Sequence, residues 1–186
     1  MFATASIWKK AAVIAAATML HLGALANANA QQEPPKISEQ IQRLIRIGSG
    51  EWAGKATLTL GEQTLDFQLT MSNKATSGGW GLLSTVRGTI PGMGPYNETD
   101  LFGYDAGRDQ LHLFSVTCFG ETHDHSGRWT SSTQMEFRYE GVMDGQPMVE
   151  EITAEFTTPR ELRISSSVSI GGKPASLFKV VLKKKG

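Results

Sequence analysis

Apolar residues recur at every second position through most of the chain beyond Gly50, whereas just before it they recur with the period of a helix. Ile37, Ile41, Leu44 and Ile45 fall on one helical stripe. Ser38 is placed to cap the start, Arg43 and Arg46 sit near the C-terminal end of the dipole, and Gly48 ends the run. The pattern predicts one helix over roughly 38–47. So short a helix is marginal alone in water, so its stripe must cover the end of something larger.

From Gly50 the period falls to two. Trp52, Gly54, Ala56, Leu58 and Leu60 alternate with Lys55, Thr57 and Thr59; Gly61-Glu62 turns the chain, and Leu65, Phe67, Leu69 and Met71 continue on a second strand. Further strands are expected at 80–90, 98–105 and 110–125, the last long and bent by a bulge at Gly120. Pro91 to Pro95 and residues 106–109 form the loops between them, and Ser126-Gly127 the next turn. Strands around Met135–Tyr139 and at 148–157, 161–170 and 176–184 complete eight to ten. Short connections without intervening helices predict an all-β, antiparallel up-and-down barrel over residues 37–186, one domain with one short N-terminal helix.

Composition changes this picture at the ends. Lys9 and Lys10, the apolar stretch Ala11 to Leu22 and the Ala28-Asn29-Ala30 site have the three parts of a secretory signal peptide. The apolar run falls short of the roughly 20 residues of a membrane span. Residues 1–30 are therefore read as a leader cleaved near Ala30, residues 31–36 as a tether with Pro34-Pro35, and the mature protein as periplasmic or secreted. Lys and Arg number 18, as do Asp and Glu, so no basic surplus points to nucleic acid. Cys118 is the sole cysteine, which rules out an intrachain disulfide, and its expected place is as a small buried hydrophobe.

The Gly50-x-Trp52 start after a short helix resembles the lipocalin-like, or calycin, superfamily. That resemblance implies a Trp across the closed end of the barrel, covered by a late basic side chain, for which Arg163 and Lys179 are the candidates. Gly50-Glu51-Trp52-x-Gly54, Gly103-Tyr104-Asp105 and His125-x-Gly127-x-Trp129 resemble more closely an uncharacterised family of exported bacterial barrels, over nearly all of residues 40–184. Nitrobindin-type haem barrels also begin Gly-x-Trp-x-Gly, but Ala56 and Leu58 break their glycine pattern and no His follows His125 as an axial ligand.

Barrels of this size often hold a small ligand. Trp80, Tyr96, Phe102, Tyr104, His112, Phe114 and Trp129 are the candidate lumen residues, with a mouth framed by Gly78-Gly79 and the loop Pro91–Pro95. His123 and His125 share one face of an extended segment, as zinc ligands would; the same pair also reads as an exposed polar hairpin tip. Glu98 and Asp100 share a face that reads as a solvent-facing strand edge, and Glu150 and Glu151 face opposite ways. No Gly-x-Ser-x-Gly nucleophile elbow occurs. The expected function is binding of a small hydrophobic or amphipathic molecule with no cofactor. The alternatives are an enzyme or zinc-binding protein on the same scaffold, or a filled barrel that binds a partner at its surface.

Overall fold

The computed structural model describes residues 36–186; the expected leader and residues 31–35 of the expected tether lie outside the described residues. Helix α1 (Glu39–Gly48) precedes ten strands: β1 (Gly50–Leu60), β2 (Gln63–Thr76), β3 (Gly81–Ile90), β4 (Gly94–Asp105), β5 (Gln110–Thr117), β6 (Thr122–Trp129), β7 (Gln134–Met143), β8 (Gln146–Thr158), β9 (Glu161–Ile170) and β10 (Lys173–Lys184). Each strand pairs with its neighbours in sequence, and β10 returns to β1 to close the barrel. Leu182 lies opposite Gly54, and Phe178 opposite Leu58. A single 3-10 turn, Ser77–Gly79, is the only other helical piece among the described residues.

Alternation drives this arrangement because each strand buries one face. Ala56, Phe67, Leu69, Met71, Leu82, Val86, Leu111, Phe137 and Val180 all turn inward, and each large apolar side chain removed from water contributes about 1.5–3 kcal/mol. Gly54 permits the closing seam: a Cβ there would lie 1.8 Å from the Val181 carbonyl oxygen.

Helix α1 sits across the end where β1 begins. Its Ser38 Oγ accepts from the Gln40 amide at 3.2 Å, and its Ile41 and Leu44 are buried. Trp52, fully buried, donates from Nε1 to the Gly48 carbonyl at 2.9 Å, and Asn73 donates to the same oxygen. The Phe156 ring meets the indole edge-on at 6.1 Å. The cation over Trp52 is Lys184, 5.1 Å from the ring centre, in place of the expected Arg163 or Lys179. Register decides this. Lys184 lies directly opposite Trp52, whereas Arg163 bonds Glu161 on the outer surface and Lys179 is exposed.

The expected long fifth strand is two strands. Gly120, at φ +84°, belongs to a turn in which its amide meets the Thr117 carbonyl and the Thr117 amide meets that of Glu121, so β5 and β6 form a hairpin and no bulge. Ser126 and Gly127 lie within β6; the following turn is at 130–133, where Ser131 Oγ accepts from the amides of Thr133 and Gln134. Cys118 falls in the β5–β6 turn and is exposed, contrary to the buried place expected of it.

Candidate functional site

The barrel is hollow. A cavity of about 450 Å³ runs inside it, walled by Phe67, Leu69, Val86, Leu113, Ile152 and Ile164 among others. That is within the roughly 300–1,000 Å³ of small-molecule sites. Its open end is opposite α1, where Leu60, Met93 and Phe119 line the rim and stay more than a third exposed. The loop at Pro91–Pro95 stands at this mouth. Gly78-Gly79 lies at the closed end instead, with Gly79 beside Ile37.

A polar belt crosses this apolar interior. The cross-strand register sets Asn73 beside Ser84, Ser84 beside Asp100, Asp100 beside Ser115, and Ser115 beside His123. All five line the cavity. One row of the barrel from β2 to β6 is therefore polar. Glu98, one inward position nearer the mouth, accepts from Tyr96 Oη at 2.6 Å and Ser115 Oγ at 2.7 Å. Burial, then repulsion from Glu98, holds the Asp100 carboxyl well above the usual carboxylate range. Asp100 Oδ1 and Ser84 Oγ are buried without a hydrogen-bond partner. Buried polar groups of this kind are normally satisfied by a partner. Burial, followed by the Glu98 charge, also raises the Tyr96 phenol.

The belt continues on β6 and across to β8. His125, 1% exposed, faces the Leu113 carbonyl through Nδ1 at 3.2 Å and Glu150 Oε2 through Nε2 at 3.0 Å. His123 Nδ1 lies 3.0 Å from the same carboxylate oxygen, and Ser166 Oγ donates to Glu150 Oε1 at 2.7 Å. Burial works to raise the Glu150 carboxyl, but hydrogen bonds from His125, Ser166 and His123 outweigh it and bring it down to about 2. Tyr139 stacks on His123 with ring centres 4.2 Å apart. The β6–β7 ladder pairs only Ser126–Trp129 with Met135–Arg138, so both histidines sit on the half of β6 that β7 does not pair.

Of the residues singled out from the sequence, Tyr96 and Phe102 line the cavity, as do His123 and His125. The histidines are therefore not an exposed hairpin tip. Tyr104 and Trp129 turn toward the closed end: Tyr104 Oη donates to Asp109, and Trp129 Nε1 donates to the Gln40 carbonyl beneath the Arg43 guanidinium. Trp80 is 44% exposed beside the 3-10 turn, and Phe114 is 44% exposed on the outer face next to Leu101. His112 also points outward, bonded to Asp124. Glu98 and Asp100 face the lumen rather than solvent, because β4 turns its even-numbered residues inward. Glu150 faces the lumen and Glu151 the outside, where it pairs with Arg138.

Sequence reading missed Glu98, Asp100, Ser115, Glu150 and Ser166 as lumen groups. The detectable signal was the run of polar residues at every second position on β4 to β6, and its sense depended on the unknown direction of each face.

A closed ten-strand antiparallel meander with a helix over one end and an open lumen is a lipocalin-like barrel. Among solved structures the chain is similar to an S-type phycobiliprotein lyase from Guillardia theta, at 10% identity and a TM-score of 0.53, covering 82% of this chain and 99% of that one. It is also similar to a redesigned β-barrel bound to DFHBI, at 14% identity and a TM-score of 0.42, covering 74% and 99%. No protein-family model matches the chain, and no curated protein matches it in sequence.

Proposed function

We propose that this protein is an exported barrel, akin to the exported bacterial barrels its Gly50-Glu51-Trp52-x-Gly54 and His125-x-Gly127-x-Trp129 motifs resemble, and that it holds a small amphipathic molecule in its lumen without transforming it. The observation that carries this reading is the cavity of about 450 Å³ with apolar walls and one polar belt, the combination that fixes a ligand by burial and orients it by a few polar contacts. A filled barrel acting only through its surface would need no such void.

The belt also selects the guest's chemistry. Glu98, Asp100, Glu121 and Glu150 line the cavity, and among the described residues no Lys or Arg does. A carboxylate or phosphate head would enter a space with acids and no fixed cation to receive it. A head bearing hydrogen-bond donors or a positive charge meets Glu98 and the unpartnered Asp100 and Ser84 oxygens, while its apolar tail lies against Leu69, Val86 and Ile164.

Titration with the neutral dye Nile red tests this. The protein should bind one dye per chain with blue-shifted emission. Ile164→Trp, which fills the lumen, should weaken binding roughly tenfold or more, as loss of a hydrophobic site implies, at an unchanged melting temperature. Equal binding by the filled variant places the dye elsewhere and rejects the lumen as the site.

A further inference from the structure

The geometry points to a divalent zinc-type metal site inside the lumen, held by His123 Nδ1, His125 Nε2 and Glu150 Oε2. His125 Nδ1 lies 3.2 Å from the Leu113 carbonyl, an oxygen that only accepts hydrogen bonds, and the ring turns Nε2 to Glu150 Oε2 at 3.0 Å. His123 Nδ1 reaches the same carboxylate oxygen at 3.0 Å, so two imidazoles from one strand converge on one carboxylate inside the barrel.

The surroundings suit the metal. The three donor atoms come from two strands and lie within 4.8 Å of one another. Ligands at about 2.0–2.2 Å from a tetrahedral zinc stand about 3.3–3.6 Å apart; the separations of His123 and His125 from Glu150 are 3.0 Å each, a small relaxation away from that spacing. Two imidazoles and one carboxylate form the donor set that suits zinc and its first-row neighbours rather than magnesium or calcium.

The outer contacts are those that metal ligands require. Leu113 fixes the tautomer and orientation of His125, Ser166 Oγ holds the other oxygen of Glu150 at 2.7 Å, and Tyr139 stacks on His123 at 4.2 Å. All three ligands line the cavity, so the remaining coordination position opens onto the space where a guest would lie. A metal there adds a Lewis-acidic contact to an otherwise acidic belt. The site needs only the ion and does not depend on an organic guest in the lumen.

The test uses the purified full-length chain stripped with a chelator, and zinc as the probe. One zinc per chain should bind, at micromolar affinity or tighter in competition with a chromophoric chelator. Glu150→Gln and His125→Ala should each weaken it roughly 100-fold or more, and Ser166→Ala roughly tenfold. His112→Ala, which alters only the outer pair with Asp124, should leave it unchanged. Cobalt in place of zinc should give the intense visible bands of a four- or five-coordinate site. Circular dichroism and melting temperature establish that each variant folds, and Glu150→Gln with the wild-type cobalt spectrum suffices where His125→Ala does not. Binding far below one ion per chain, binding untouched by Glu150→Gln, loss on His112→Ala instead, or a weak six-coordinate cobalt spectrum would each overturn the proposal. Zinc binding in a protein that fails to take Nile red would uphold the metal site and reject only the small-molecule reading.

Discussion

At the scale of single residues, the interior is governed by carboxylates placed where water is scarce. Asp100 is the clearest case, being buried, next to Glu98, and short of a partner for Oδ1. Its folded pKa stands above the unfolded value of about 3.9, so the folded state favours the neutral form. Below about pH 4 both states are protonated and the group contributes nothing. As pH rises through the unfolded value, the unfolded chain releases the proton first, and stability falls until the folded value is reached. Asp100→Asn keeps a neutral donor and removes this dependence. Melting curves should therefore find the variant more stable than wild type at pH 7, with the difference shrinking toward zero at pH 3. A difference that is constant across that range would mean that Asp100 is ionised in the fold.

At the scale of elements, the alternation of apolar residues located strands well and faces poorly. On β1, β2 and β10 the apolar positions are the inward ones, and pattern and structure agree. On β4 to β6 the pattern is partly inverted. Glu98, Asp100, Ser115, His123 and His125 point in, while Leu101, Phe114 and Val116 point out and remain exposed. Hydropathy alone assigns such polar residues to solvent, so Phe114 and His112 looked like lumen groups and the two acids looked like an edge. The β5–β6 turn was hidden for a related reason: Cys118 to Glu121 offers one turn former, Gly120, and alternation resumes in the next strand. Lys184 escaped notice because the register that sets it opposite Trp52 is a long-range property. The His125-x-Gly127-x-Trp129 motif marks three inward positions, with a lumen-lining side chain, a close approach and a helix contact in turn. A Cβ on Gly127 would lie 2.2 Å from the Phe137 ring and 2.6 Å from the Glu136 carbonyl oxygen. Gly127→Ala should therefore lower unfolding stability in urea by about 2–3 kcal/mol through overpacking. A change within about 0.5 kcal/mol, typical of a surface site, would show that β6 and β7 can part without penalty.

For the whole molecule, closure and hollowness are linked. Pairing β10 to β1 leaves no free sheet edge, and ten strands enclose more space than their inward side chains fill. Helix α1, Trp52 and Lys184 shut one end, so the rim at Leu60, Met93 and Phe119 is the entrance to the cavity. Inside, apolar walls meet acids with no lysine or arginine among the described lining residues, and this asymmetry is what the proposed role depends on. It is tested most directly by competing Nile red out of the chelator-treated, metal-free protein at pH 7 with two amphiphiles of equal chain length, decylamine and decanoate. Decylamine should displace the dye at a concentration roughly tenfold or more below that of decanoate, about 1.4 kcal/mol of preference. Displacement by decanoate at an equal or lower concentration would contradict it.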